Sequence, residues 1–566
     1  MSKLMRFVSL FILLSVVLGA CAPATTTAPE ATAVPNDNTE ATPEASGAIE
    51  VAPGGKFPIV NEKITLKVLV FPDALVSDYQ DNEFTQFIED KMNIHLEFTV
   101  APADAAEANQ KLNLIMASGD LPDIIMGWYD MTLDRQLALA EQGLIVPLND
   151  YIDEYGVETK RVFAEQPGAA AAVTQVDGKI YSPPDVNECY HCTHAQKLWV
   201  YQPWLDKLGL EVPTTTEEFE AMLIAFKTQD PNGNGIADEI PVAGHTSWHG
   251  GLYDFLMNPF VYTQLVSGDR YFYLEDGKVT VPFNQDGWKA GLQYLNKLYD
   301  QGLIDPQSFT MIDTQFTALG ENPDAVILGS MAAGHVGMFT QVLGPSGRWL
   351  EYTPISPIEG PTGLRQNPTT SNVTNTGHFM ITSASQYPEA AFRLADYLLS
   401  FEGTSNSYFG LQGKAWEYVE PGSTALGLDG EPAIYNQIIA DFSNVANNKY
   451  WYQSSVSFRP IAYRSGQADT PENPYEGMLY RWSRDNYAPY DVDKTIPPLV
   501  MVPEKAVQVG DLRTTIYGIV EENFASFVSG QRDIDTEWDA YLQELEDAGL
   551  PALLQLYQDA YDAKYK

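Results

Sequence analysis

Cationic side chains are scarce in this chain. Lysine and arginine number 33 against 75 aspartates and glutamates, a formal charge of −42 over 566 residues. Nucleic acid and anionic lipid surfaces both need a cationic patch, so the balance argues against either as a partner. Its plainest meaning is solubility. Cysteines number three and histidines seven, and apart from His191 and His194 no histidines fall at ligand spacing. Long apolar runs are confined to Phe7–Leu18, which is short for a membrane span, and none follows. Also missing are a G-x-S-x-G elbow, H-E-x-x-H, a P-loop and G-x-G-x-x-G. Spacing leaves open a carboxylate pair for glycoside hydrolysis, because 75 acidic residues offer many such pairs.

The N-terminus is informative. Lys3 and Arg6 precede the apolar run, which ends in Leu18-Gly-Ala-Cys21. Residues 1–21 read as a signal peptide, and its end resembles the bacterial lipobox, in which the cysteine is acylated and becomes the new N-terminus. Cys21 is therefore expected to carry lipid, palmitate included, and to anchor the protein to the cell membrane on its extracytoplasmic side. A linker follows over 22–58; as far as about residue 56 it is Ala, Thr, Pro and Glu without an aromatic, so it cannot bury a core. As a loose coil it spans roughly 30–35 Å.

With Cys21 given to lipid, Cys189 and Cys192 remain, in Cys-Tyr-His-Cys-Thr-His194. In an exported chain a C-x-x-C pair is most simply a local disulfide. Zinc through His191 and His194 is a minor alternative, cramped for a tetrahedron, and free thiols are the third.

The remaining chain of about 500 residues is long enough for two large lobes. Ile64 to Phe71 alternates as a strand, Phe84, Phe87 and Ile88 mark a helix, and Ile94 to Val100 alternates again. A helix over 102–118 leads into a strand at Asp123–Met126. Strands alternating with helices predict an α/β fold with mainly parallel sheets, and ligands in such sheets bind outside the carboxyl ends of strands. After Met126 the turn is Gly127-Trp128-Tyr129-Asp130. The tail, Glu537–Tyr565, reads as two helices around Gly549-Leu-Pro551.

The stretch Asp230-Pro-Asn-Gly-Asn-Gly-Ile-Ala-Asp-Glu239 has the oxygen spacing of a calcium loop. Side chains of Asp230, Asn232, Asn234 and Asp238 alternate with the Ile236 carbonyl around Gly235. The twelfth position is Pro241, which has no carboxylate, so Glu239 is the natural substitute. Before the loop, Thr214 or Thr215 with Glu217 or Glu218 forms a capping box, and Phe219, Met222, Leu223 and Phe226 make one apolar helical face. No second helix follows, so the expected Ca2+ is structural, clamping a helix to the next strand.

Trp204-Leu-Asp-Lys-Leu-Gly-Leu-Glu-Val-Pro-Thr-Thr, the amphipathic helix and Asp230–Pro241 resemble the extracellular solute-binding proteins (family 1) of ABC transporters, in the calcium-containing branch that includes alginate-oligosaccharide binders. Leu121-Pro-Asp-Ile-Ile-Met, Gly143-Leu-Ile-Val-Pro-Leu-Asn, Gly178-Lys-Ile-Tyr, Gly302-Leu-Ile-Asp-Pro, Gly334-His-Val-Gly-Met-Phe, Tyr387-Pro-Glu-Ala-Ala and Trp416-Glu-Tyr-Val occur in matching order. The resemblance implies a two-lobed periplasmic-binding-protein-like fold with a hinge. Lobe I is expected at 59–182 and 377–405, and lobe II at 190–372 and 406–566. The crossings are expected near 182–190, 376–378 and 403–410.

It implies a receptor, not an enzyme: a monomeric lipoprotein that captures an oligosaccharide and delivers it to ABC permease subunits. A receptor for a peptide or other small polar solute, and a secreted carbohydrate-active enzyme, are the alternatives. Sugars present apolar C–H faces and hydroxyls, so their sites combine aromatic platforms with polar groups. The candidates are Trp128, Tyr129, Asp130, Asn187, Glu188, Trp248, His249, Phe339, Gln341, Trp416, Trp451 and Arg459. Trp128 and Glu188 match places where maltodextrin binders of the family contact ligand.

Overall fold

In the computed structural model, which describes residues 49–566 apart from Tyr129, 246–249, 265–269, Ile312, 370–373, 440–445, Pro498 and Val500, strand Ile64–Val70 is the middle of the first sheet. It pairs in parallel with Ile94–Val100 on one side and with Ile124–Met126 on the other. Phe379–Ile381 adds an antiparallel edge. Alternation places Leu66, Val68, Val70, Ile124 and Met126 in one core, and Leu69, Ile125 and Met380 in another. Both faces are thus covered, the usual condition of a parallel sheet.

The helices that cover it start at side-chain caps. Asn82 accepts from the Phe84 N–H, and helix Glu83–Met92 buries Phe84, Ile88 and Met92 at intervals of four. Asp104 caps Ala105–Ser118 at the Glu107 N–H, and that helix buries Ala108, Leu112 and Met116.

The second lobe is built on Leu198–Tyr201, which is buried along its whole length. Its pairing differs from that of the first sheet. Both of its neighbours, Ser330–Ala332 and Tyr352–Ile355, run antiparallel to it, while single parallel bridges at Ile240, Val242 and Ala243 widen the layer. This core extends to the C-terminal helices Pro503–Val528, Ile534–Asp547 and Leu550–Tyr565, with Gly549 in the left-handed region between the last two. Among the described residues, no helix is long and apolar enough to cross a membrane. Cys21 and most of the linker lie outside the described residues.

A small sheet joins the lobes. Its centre is Asp185–Asn187, flanked by antiparallel Thr374–Asn375 and parallel Phe458–Arg459. The third crossing strand is therefore Phe458–Arg459, not the expected 403–410, where the chain is in helix Phe401–Phe409. The segment before it also departs from the expected assignment of 406–566 to lobe II. Trp451, Val456 and Phe458 pack in the first-lobe core. The Trp451 ring stands edge-on to Phe84 at 4.8 Å, and its Nε1 donates to Thr85 at 2.9 Å. Trp416, Tyr435 and Tyr463 form a small core of their own with Ala415.

Candidate functional site

The hinge strands set the site. Asp185 is buried and accepts from the Ser457 N–H at 2.9 Å and the Ser457 hydroxyl at 2.7 Å, with the His378 ring at 3.2 Å. Burial alone would raise its carboxyl, but His378, Arg459 and Ser457 outweigh it and hold the group low. At the ends of these strands, Asn187 and Arg459 open onto a cleft of about 400 Å³.

The cleft takes its walls from several elements. Tyr450 and Tyr452 come from the segment that packs on the first lobe, Tyr408 from helix Phe401–Phe409, Tyr435 and Tyr463 from the small aromatic core, and His335, Tyr475 and Glu476 from the second lobe. Tyr408 stacks on Tyr452 at 4.7 Å and donates to its hydroxyl at 3.2 Å, and the Arg459 guanidinium lies 4.1 Å from the Tyr408 ring. Tyr452 has φ of 54°, a left-handed backbone that a bulky residue adopts only when its surroundings impose it. Its hydroxyl is pushed up, by Tyr408 first and then by burial, so it remains a neutral donor.

Opposite this stack lies an ionic floor. Glu476 is 3.4 Å from both His191 Nε2 and Arg464 Nη2. Burial opposes its charge, yet the His191 ring and the Arg464 guanidinium prevail and bring the carboxyl down to about 2. Burial pushes the His335 ring down to about 3, and Tyr475 bonds its Nδ1 at 2.8 Å. Cys189 and Cys192 form a disulfide with Cα atoms 5.1 Å apart, and Arg464 rests on Cys189 Sγ at 3.2 Å. Cys189, His191 and Cys192 bring three ligand atoms within 4.8 Å of one another, but with the sulfurs bonded to each other the zinc alternative loses two of its ligands.

Of the residues singled out in the sequence, Asn187 and Arg459 line this cleft. Trp128, Phe339, Trp416 and Trp451 are corrections: all four are fully buried in apolar cores, where the indole N–H of Trp128 bonds Asn109 and that of Trp416 bonds Asn406. Asp130 is held by Asn109 and Arg135. Glu188 does not line the cleft; its carboxylate accepts from Gln166 and the Ile461 N–H. The Gln341 side chain is exposed, and its N–H is held by Glu321. Tyr129, Trp248 and His249 lie outside the described residues. Sequence reasoning passed over Tyr408, Tyr450, Tyr452, Arg464, Tyr475 and Glu476. The signal for some of them was present in the polar-aromatic run Asn447-Asn-Lys-Tyr-Trp-Tyr452.

The loop at 230–239 follows helix Thr216–Thr228, which Thr215 caps while Glu218 reaches back to the Thr214 N–H at 2.8 Å. Asp230 accepts from the Gly233 and Gly235 N–H groups at 2.9 and 3.1 Å, with both glycines at positive φ. The Asn232 and Asn234 amides lean on Asp238 at 2.9 and 3.0 Å. The loop's three carboxylates do not gather as closely as the cysteine–histidine trio. Glu239 Oε1 is buried without a hydrogen-bond partner, and burial, then the charges of Asp238 and Asp230, push its carboxyl up. An orphaned buried oxygen among like charges fits a cation-binding loop.

The fold has counterparts among known proteins. The fructooligosaccharide ABC transporter substrate-binding protein FusA of Streptococcus pneumoniae is 28% identical over 530 residues, covering 90% of this chain and 92% of that one. Among solved structures, FusA in complex with kestose has a TM-score of 0.73 at 24% identity, over 88% of this chain and 99% of that one. An EF-hand mutant of FusA in complex with fructo-nystose has a TM-score of 0.72 at 24% identity, with the same coverage of 88% and 99%. Alginate-binding protein AlgQ2 without calcium ion has a TM-score of 0.64 at 24% identity, over 89% of this chain and 98% of that one. These structures share the fold. The family model for bacterial extracellular solute-binding proteins matches residues 77–404, more than half of the sequence. The chain belongs to that family.

Proposed function

We propose that this protein is the substrate-binding lipoprotein of an ABC importer, which captures an oligosaccharide between its lobes and delivers it to the permease. The observation that carries the reading is the tyrosine-lined cleft of about 400 Å³ at a hinge of three short strands. A volume of that order holds a few sugar rings, and a wall of tyrosines offers rings and hydroxyls suited to their C–H and O–H groups. The name of the FusA relative, a fructooligosaccharide-binding component, supports the ligand class. Binding without turnover is supported by the lining itself. Glu476 is the single carboxylate among its described residues, whereas most glycoside hydrolases work with two.

Two accessory features complete the proposal. Cys21 anchors the chain through lipid alone, on the extracytoplasmic face of the cell membrane, with the linker as a leash. A structural Ca2+ is held by Asp230, Asn232, Asn234, Asp238 and Glu239 with the Ile236 carbonyl. Its charge would relieve the repulsion at Glu239 and fix the end of helix Thr216–Thr228 against Ile240, which bridges to Leu328.

A thermal-shift panel of glycans and peptides tests the ligand class, because a ligand that binds only the native state raises the melting temperature. An oligosaccharide that shifts the melt and is recovered unchanged is the expected result. A shift by peptides alone, or hydrolysis of the bound sugar by pure protein, would overturn it.

A further inference from the structure

We infer that the saccharide is anionic and that Arg459 reads its carboxylate, an inference that rests on the receptor function proposed above. Arg459 is 3% exposed, lines the cleft and ends a hinge strand. Its Nε donates to Ser457 Oγ at 3.3 Å and one face of its guanidinium is covered by Tyr408. Its Nη1 is buried with no hydrogen-bond partner. Gln467, also buried and also lining the cleft, leaves its Nε2 without one. Two buried donors therefore await acceptors, and leaving such groups unmet is costly.

The lining supplies no acceptor charge in return. Lys449, Arg459 and Arg464 face the cleft against one carboxylate, Glu476, which is already engaged by His191 and Arg464. Asp185, on the neighbouring hinge strand, is hydrogen-bonded to Ser457 and lies beside His378; it feels the Arg459 charge but accepts no hydrogen bond from it. A neutral sugar presents hydroxyls that both donate and accept, and it would leave part of this donor excess unused. A uronate or sialate carboxylate offers two oxygens in one plane, the shape that a guanidinium fork matches. In a chain of net charge −42, a locally cationic lining is the exception that needs a reason.

The test compares matched ligands on the full-length protein by titration calorimetry. The probes are short oligouronates (galacturonate, mannuronate, guluronate and glucuronate series) and sialyllactose, each beside its methyl ester, with kestose and maltotriose as neutral controls. The expected result is an acid bound about 10- to 100-fold more tightly than its ester. Arg459→Gln should remove that preference, bringing the acid-to-ester affinity ratio to about 1. If the variant fails to fold, the acid–ester ratio on the wild-type protein decides. Esters or neutral sugars bound as tightly as acids overturn the anionic inference and leave the receptor reading standing. A panel in which no saccharide binds overturns both.

Discussion

Lys197 is buried behind the cleft with no carboxylate in salt-bridge reach among the described residues. Its Nζ donates to the His191 carbonyl at 2.8 Å and to that of His194, holding the turn that carries the disulfide. Burial pushes the ammonium down to about 7. The sign follows from proton counts. The unfolded chain keeps this proton up to about pH 10.4, whereas the folded protein releases it from about 7, so stability rises with pH across that window. The rise is at most about 1.4 kcal/mol per pH unit from this one group. Urea unfolding of wild type and Lys197→Met at several pH values between about 7 and 9.5 should show it as a difference in slope. Parallel slopes would rule it out. The same scale explains which site residues escaped the sequence. Trp128, Trp416 and Trp451 carry the largest apolar surfaces, and that is also what buries them. The cleft uses tyrosines, whose hydroxyls keep a polar end at the wall, and among 31 tyrosines spacing does not tell wall from core.

The proposed calcium loop is the element whose local chemistry was plainest in the chain, because its oxygen spacing lies in contiguous residues. Its helix, capping pair and buried face all follow from spacing within about four turns of chain. If the loop binds Ca2+ when folded, mass action adds about 3 kcal/mol at a hundredfold excess over Kd. Chelation should therefore lower the melting temperature by several degrees, and Asp230→Ala or Glu239→Gln should remove the sensitivity. Identical melting curves in EDTA and in calcium would defeat the assignment. The hinge was only partly legible for the opposite reason. Asp185–Asn187 follows a readable Gly178-Lys-Ile-Tyr turn, but Phe458–Arg459 is a two-residue strand. Two residues have no periodicity, and their pairing with Val186 and Asn187 comes from 272 positions away. The antiparallel neighbours of Leu198–Tyr201 were hidden likewise, since a run buried on both faces looks the same in either sheet type.

Over the whole molecule, two cores are joined through three strands of three residues or fewer. Such a joint resists relative motion only weakly, and the cleft lies where the motion would open and close it. One contact already spans the lobes. Asp134, beside the first lobe, accepts from the Met501 backbone of the second; burial, its larger influence, raises the carboxyl. A ligand that touches Tyr452 on one side and Tyr475 on the other contacts both walls only when they are close, and that differential contact is what shifts the population. A sugar held by one wall would shift nothing. Saturating ligand should therefore shrink the radius of gyration in solution scattering. Tyr452→Ala and Tyr475→Ala should each weaken binding about 30-fold, the scale of losing a central anchor. Each variant should also lose the scattering change at ligand concentrations that saturate the wild type. Tight binding with an unchanged radius of gyration would mean that the cleft is preformed and that closure is not how this receptor reports its cargo.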